Sequence, residues 1–383
     1  MTVGFGVISI LLAGGFIEWI FWAIRESAIQ TGLGHVHVVR AGYRDSGAAD
    51  PFSYLLPETS PELALLEASP AVKVVAPRLN FSGLISHGET TISFIGEGVD
   101  ADKEKLVSRV LHMSEGDALS ATEPNGIIVG AGLAASLGIK PGDNVILLAT
   151  SAAGSISAVE PHVRGFFASE VKAYDDTAIR APVALARQLL KVSGSHAWVV
   201  ALDQTGRTVP WVEEFRGRLG PAGLELIPWF EMADFYNKSV TLLSSQMLVV
   251  RVIIGLIIVL SISNVLIMNV LERTGEIGTI MAIGTRRRAV LTQFLWEGFL
   301  LGLMGALFGV LMGVGLAWVI SSVGIPMPPP PGRQAGYSGE ILVTWGLALG
   351  AFALALTTTM LASAYPALKA SRQEIVDALR HNH

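Results

Sequence analysis

Four long apolar runs constrain this chain before anything else does. A helix needs about 20 largely apolar residues to cross a bilayer. Thr2–Ile24 meets that length with one acid, Glu18, while Val252–Leu271, Gly298–Gly332 and Ile341–Tyr365 contain no charged residue. Of the 383 residues 51% are hydrophobic and 15% charged, against about 25% charged in soluble domains. The deficit sits in the runs and the rest is ordinary, which describes a membrane protein carrying a water-soluble domain. We expect prolines to end the third helix near Ile325 and Pro366 to stop the fourth.

The first run is not a signal peptide. No Lys or Arg precedes it, and Trp19, Phe21 and Trp22 occupy the place of a small-residue cleavage site. Aromatic residues there fit an interfacial belt. The missing basic residues are unusual for a membrane start, and the expectation is that the chain begins late, after a further cytoplasmic segment. Orientation follows from short-loop Lys and Arg. Arg273, Arg286, Arg287 and Arg288 lie between the second and third runs, and Lys369, Arg372 and Arg380 follow the fourth. Both segments are therefore cytoplasmic, and Gly32–Ser239 is external.

The chain divides accordingly into a first spanning helix (1–31), an external domain (32–239), a second spanning helix (240–271), a cytoplasmic helix (272–288), a third spanning helix (289–325), an external Pro-rich loop (326–340), a fourth spanning helix (341–365) and a cytoplasmic tail (366–383). The external segment reads as mixed α and β. Val72–Val75, Ile127–Val129, Val145–Leu148 and Trp198–Leu202 have the length and character of strands. Pro61–Ala68, with Ser60 as N-cap, reads as helical, as do Gly132–Leu137, Pro182–Lys191 and Val212–Leu219.

Little here points to chemistry. With no cysteine, disulfides, thiolate metal sites and a cysteine nucleophile are excluded. A net charge of −5 gives no reason to expect nucleic-acid binding. His35 and His37 are two apart, on one face if the segment is a strand, but a metal would need a third ligand, and satisfied histidines are the plainer reading. No phosphate-binding Gly-x-x-x-x-Gly-Lys-Ser/Thr occurs.

The most informative segment is Glu272–Arg288. Ile277, Ile280 and Met281 recur at helical spacing. Glu272 and Glu276 precede, and three arginines follow, as the helix dipole favours. The segment is either an interfacial helix with a basic anchor or a docking helix for a soluble partner. Gly275, Gly278 and Gly284 favour docking, because glycine costs about 1 kcal/mol in a helix interior and its presence suggests close approach of another backbone. In the third run Gly305, Gly309 and Gly313 are four apart, which lets helices pack closely within one chain or between two copies. Glu18 and Arg251, charges near membrane depth, are candidates for a substrate or interface role with Trp19 and Trp22; otherwise they reach the interface or pair with each other. Glu297 opens the third run as a structural residue.

This pattern resembles the MacB/FtsX-type ABC permease family. The match rests on Glu272, Arg273, Glu276, Ile277, Gly278, Ala282 and Gly284, on Gln293–Gly298, on Tyr365–Arg372 and on Val376–Arg380. In the external segment Ala76-Pro77-Arg78, Gly98-Val99-Asp100, Leu133 to Asp143 and Val163–Phe167 resemble the periplasmic core domain, closer to the lipoprotein-releasing LolC/LolE branch than to the macrolide-exporting one. The chain departs from the family at its start and in the loop Met327–Pro331.

The resemblance implies four transmembrane helices with a mixed α/β periplasmic domain between the first two, in the bacterial inner membrane. It implies no catalytic or metal site, no cofactor on this chain, and ATP and Mg on partner ABC ATPase subunits. It further implies a second permease copy or paralogue, a periplasmic carrier or lipoprotein and membrane lipids as partners. The seven matching loop residues would couple to the ATPase. Its hydrolysis would lever the external domains to release lipoproteins or other lipophilic envelope substrates. A cargo-free permease controlling a periplasmic hydrolase and a small-molecule or peptide efflux permease are the alternatives.

Overall fold

A computed structural model describes residues 2–47, 49–108, 111–169, 172–327 and 337–372. The Pro328–Pro331 part of the proline-rich loop and the tail motif Val376–Arg380 lie outside them. The chain forms two compact units. One gathers the chain up to Ala23, Lys238–Met327 and the segment from Tyr337 onward; the other is Ile24–Asn237.

The first unit is helical. Thr2–Ala28, Asp234–Glu272, Arg287–Val323 and Trp345–Ser371 are helices long and apolar enough to cross a membrane. Their shared core includes Val7, Ile10 and Leu11 of the first, Ile258 and Leu266 of the second, Ala306 of the third and Ala351 and Ala355 of the fourth. Leu256, Leu260, Leu307, Leu311, Trp318 and Leu349 point outward. Helices apolar all round have no aqueous face to offer, as expected of segments solvated by lipid.

Several boundaries differ from the sequence expectation, and the second helix already begins at Asp234 rather than at residue 240. The third helix stops at Val323, before the prolines, because Gly324 leaves it at φ 75°. The fourth begins at Trp345 rather than Ile341; Thr344 caps it, accepting the Leu347 N–H at 3.2 Å, and residues 341–344 are extended. Pro366 does not stop that helix but lies inside it. Proline removes an N–H and so leaves the carbonyl four residues earlier without its partner. That carbonyl, on Ala362, accepts the Ser263 hydroxyl at 2.9 Å. A neighbouring side chain satisfies what the proline frees, so the helix continues.

The second unit is a mixed sheet with helices packed on it. Its strands are β1 (Val36–Arg40), β2 (Val72–His87), β3 (Thr90–Val99), β4 (His112–Gly116), β5 (Gly126–Gly130), β6 (Ile146–Thr150), β7 (Ile156–Val159), β8 (His162–Ala168), β9 (Ala178–Pro182), β10 (Ala197–Leu202) and β11 (Leu224–Pro228). The order is β11-β1-β10-β2-β3-β9-β5-β8-β4, with β6 between β2 and β7. The β3–β9 and β5–β8 pairs are parallel and the other pairs antiparallel. β2 joins two regions, because its first half pairs with β10 and its second with β6. It runs far past the expected Val75, sustained along Arg78–His87 by β3.

One core lies under the helices Ala131–Leu137 and Val183–Leu190, with Ile85, Phe94, Ile127 and Ile179. The other lies under Thr208–Leu219, whose Trp211 and Phe215 stack at 4.4 Å beside Val36, Val75 and Val200. Pro61–Glu67 forms as expected, Ser60 accepting the Leu63 N–H at 3.1 Å. Pro182 ends β9 and caps a helix over Val183–Leu190 rather than joining it. Thr208–Leu219 starts earlier than Val212 because Pro210, in its first turn, needs no hydrogen-bond partner there.

Candidate functional site

The segment after the second long helix folds as a helix over Thr274–Ala282. Ile277 and Met281 are buried among Val270, Val290, Phe294, Ala367 and Ala370, and Gly278 is buried with them. This contact pins one face to the ends of the other helices of its unit. Ile280 does not share it, contrary to the apolar stripe read from the sequence. It is 45% exposed and Ile283 is 82% exposed. Glu276, Thr279, Ile280 and Ile283 recur at helical spacing on the opposite side and are all exposed. Among the described residues Glu272, Arg273 and Glu276 form no ion pair, and neither do Arg286, Arg287 and Arg288.

Gly284 has a different reason from close approach. It sits at φ 110° with nothing within 4 Å of a Cβ built on it. Its N–H donates to the Met281 carbonyl at 3.1 Å and the Thr285 N–H to the Ile280 carbonyl at 3.2 Å. These two bonds make a Schellman stop, which favours glycine in the left-handed region. Ala282 is exposed beside it.

The glycines of the third helix meet the first helix of the same chain. A Cβ on Gly305 would lie 2.7 Å from Val3, on Gly309 2.6 Å from Val7, and on Gly313 2.7 Å from Leu11. Glu18 is half-buried and Arg251 exposed, with no ion pair between them among the described residues. Trp19 is buried and stacks on Phe16 at 6.0 Å, while Trp22 is about half exposed.

In the second unit a charged cluster is buried that sequence reasoning did not single out. Arg78 on β2, Arg180 on β9 and Glu104 on the helix Ala101–Val107 are 4%, 2% and 6% exposed. Arg78 donates to both Glu104 oxygens at 2.8 Å, and Arg180 Nη1 to Glu104 Oε1 at 3.1 Å. Glu97 on β3 lies 3.4 Å from Arg78 and 3.0 Å from Arg180. Burial alone would raise the Glu97 carboxyl, but the two guanidiniums and Tyr174 hold it below the usual range. Burial pushes the Tyr174 hydroxyl up to about 12.

The available signal was weak. Arg180 interrupts the apolar strand Ala178-Ile179-Arg180-Ala181-Pro182, Arg78 stands in an apolar stretch, and Glu97 lies between two glycines. A charge inside a strand that reads as buried is rare unless paired; only tertiary structure supplies the pair.

His35 is occupied in another way. His35 Nδ1 accepts the Leu202 N–H at 3.1 Å and its Nε2 meets Thr205 at 3.3 Å. Burial pushes His35 and His37 down to about 4, with Arg78 adding to the effect on His37. Among the described residues no group of three or more His, Asp or Glu is placed to hold a metal ion. An open groove of about 620 Å³ crosses β2, β3, β6 and β7, lined by Leu84, Phe94, Ile95, Leu148 and Ile156 with serine and threonine hydroxyls and no charged side chain.

Comparison with known proteins agrees with this architecture. Residues 1–214 match the MacB-like periplasmic core domain and residues 248–375 the FtsX-like permease C-terminal domain. The chain belongs to the MacB/FtsX permease family. The lipoprotein-releasing system transmembrane protein LolE of Haemophilus influenzae is 22% identical over 333 residues, 82% of this chain and 79% of that protein. The macrolide export ATP-binding/permease protein MacB of Bdellovibrio bacteriovorus is 32% identical over 158 residues, 40% of this chain and 22% of that relative. The chain thus spans less than a quarter of the length of this MacB relative. The pyoverdine export ATP-binding/permease protein PvdT of Pseudomonas fluorescens is 38% identical over 122 residues, 31% of this chain and 16% of that relative. The crystal structure of the periplasmic region of MacB from Actinobacillus actinomycetemcomitans aligns with 55% of this chain and 94% of its own at 12% identity, with a TM-score of 0.39.

In this MacB/FtsX permease the helix Thr274–Ala282 belongs to the FtsX-like part, and Arg78, Glu97, Glu104 and Arg180 belong to the MacB-like part. The protein is a membrane protein of the permease family with a large domain inserted between its first two candidate spanning helices.

Proposed function

We propose that this permease receives ATP-driven motion from a separate ATPase through the exposed face of the helix Thr274–Ala282. The observation that carries this is the two-sidedness of the helix. One face is fixed by Ile277 and Met281, and the other presents Glu276, Ile280 and Ile283, exposed and without a partner among the described residues. Glu272, Arg273 and Ala282 flank that surface, and Gly284 ends the helix so that Ile283 stands clear. ATP and Mg are held by the ATPase. The external domain handles lipoproteins or other lipophilic envelope molecules at the bacterial inner membrane, working with a second permease copy or paralogue and a periplasmic carrier. Similarity to a LolE protein over 82% of the chain supports that cargo, as does the uncharged groove. Shorter matches to export permeases support efflux of small molecules as a second reading.

The test is Glu276→Lys at equal membrane levels. A broken charge pair at a desolvated interface costs about 2–5 kcal/mol, at least about thirtyfold in affinity. The opposed helix dipole costs only about 0.3–1 kcal/mol, too little to unfold the helix. The ATPase should fail to co-purify with the variant while expression and insertion stay normal. Retention of the ATPase with full transport-coupled turnover would remove the docking role. Lipidated proteins recovered with the wild-type complex support the envelope cargo; small lipophilic solutes alone support efflux.

A further inference from the structure

The first spanning helix does not end on a solvated turn. After Ala28 it widens into a π-helical turn over Ile29–Leu33, and Gly32 leaves helical geometry at φ 146°, ψ −12°. Carbonyls at such an end need partners from elsewhere. The Thr31 carbonyl receives Arg180 Nη2 at 3.2 Å and the Ser108 hydroxyl at 3.3 Å. The Gly32 carbonyl receives Arg78 Nη1 at 3.1 Å. Both guanidiniums are held from behind by Glu104 and Glu97, so three strands and a helix converge on one turn. A Cβ on Gly32 would lie 3.0 Å from Arg180 Nη2 and 3.2 Å from Arg78 Nη1. Glycine there suits both the backbone and the space.

Stability alone does not account for this arrangement. Replacing a buried ion cluster by apolar groups of similar volume is often neutral or stabilising. The cluster differs from apolar packing in direction. Apolar contacts tolerate small sliding, whereas planar guanidiniums fix both the carbonyls they bind and the carboxylates that hold them.

We propose that Arg78, Arg180, Glu97 and Glu104 form a rigid joint that grips the end of the first spanning helix, so that the helix end and the sheet move as one body. The joint delivers displacement of the helix to the external domain without slack. Its place in transport rests on the reading of the chain as an ATPase-driven permease; its rigidity does not.

The chain contains no cysteine, so spin labels can be placed at Arg25→Cys and, on β3 outside the groove, at the exposed Thr90→Cys in the full-length protein. The parent should give one narrow distance distribution, unchanged on adding the ATPase with ATP. The double variant Arg180→Met, Glu104→Met removes opposite charges together and keeps the volume. It should keep the parent's unfolding temperature but broaden the distribution. In the complex, ATP turnover should persist while ATP-driven substrate release falls by about tenfold or more, a coupling loss of ordinary allosteric size.

A folded double variant with the parent's narrow distribution, or with full release, overturns the proposal. If that variant does not fold, Arg180→Lys replaces it. Lysine keeps the charge but cannot bridge Thr31, Glu97 and Glu104 at once, and a narrow distribution there also overturns the joint. If the parent complex shows no ATP-driven release, the functional reading fails, and the label distances alone decide the joint.

Discussion

His37 is held neutral by its surroundings. Its Nε2 is buried without a hydrogen-bond partner among the described residues, and burial with Arg78 nearby brings it down to about 4. Burial pushes His35 and His196 to about 4 as well. The unfolded chain takes up these protons near pH 6.5, the folded chain only near 4. The stability they contribute is therefore complete above about pH 6.5 and declines as pH falls from there toward 4. Each shift corresponds to about 3 kcal/mol at most. Glu97, held low, adds a contribution present above its ordinary range and lost at still lower pH. The unfolding temperature of the external domain within the full chain should fall clearly between pH 7 and pH 5, and His37→Gln should reduce the slope. A flat profile over that interval would mean that these histidines are not buried neutral. At this level the sequence was least legible. It contained Arg78, Arg180, Glu97 and Glu104, but only the pairing of β3 with β9, more than eighty positions along the chain, sets Glu97 beside Arg180.

The spanning helices were legible as apolar runs because lipid demands that pattern of the helix itself. Their contacts were not. Spacing pointed to Gly305, Gly309 and Gly313 as close-packing positions, but only the fold chose the first helix as their neighbour. A Cβ on Gly309 would fall 2.8 Å from the Gly4 carbonyl oxygen, whereas none lies within 4 Å of one on Gly315. Gly309→Ala should lower the unfolding midpoint in detergent by the equivalent of about 1–3 kcal/mol, since overpacking forces backbones apart. Gly315→Ala should be neutral or slightly stabilising, by up to about 1 kcal/mol. Equal behaviour of the two would mean that the first and third helices do not pack along this line. Pro366 and Ile280 show the limits of local rules. Proline reads as a stop until Ser263 caps the freed carbonyl. Ile280 reads as core because the hydrophobic pattern alone does not say which side of a short helix its neighbours occupy.

For the molecule as a whole, topology is the measurable consequence. Arg286, Arg287 and Arg288 place the loop after the second helix on the cytoplasmic side by the positive-inside rule, so the domain between the first two helices lies outside. A reporter active only outside the cytoplasm, joined at the exposed turn residue Gly142, should be active, and a cytoplasmic reporter at the same place inactive. The reverse result would invert the protein. The number of candidate spans, the position of the inserted domain and the short helix after the second span were readable from sequence, because hydrophobic length acts locally and at every position. The order of eleven strands, the outward face of the helix Thr274–Ala282 and the grip of two arginines on Thr31 and Gly32 were settled only by tertiary structure, because each depends on partners remote in the chain whose pairing no local pattern records.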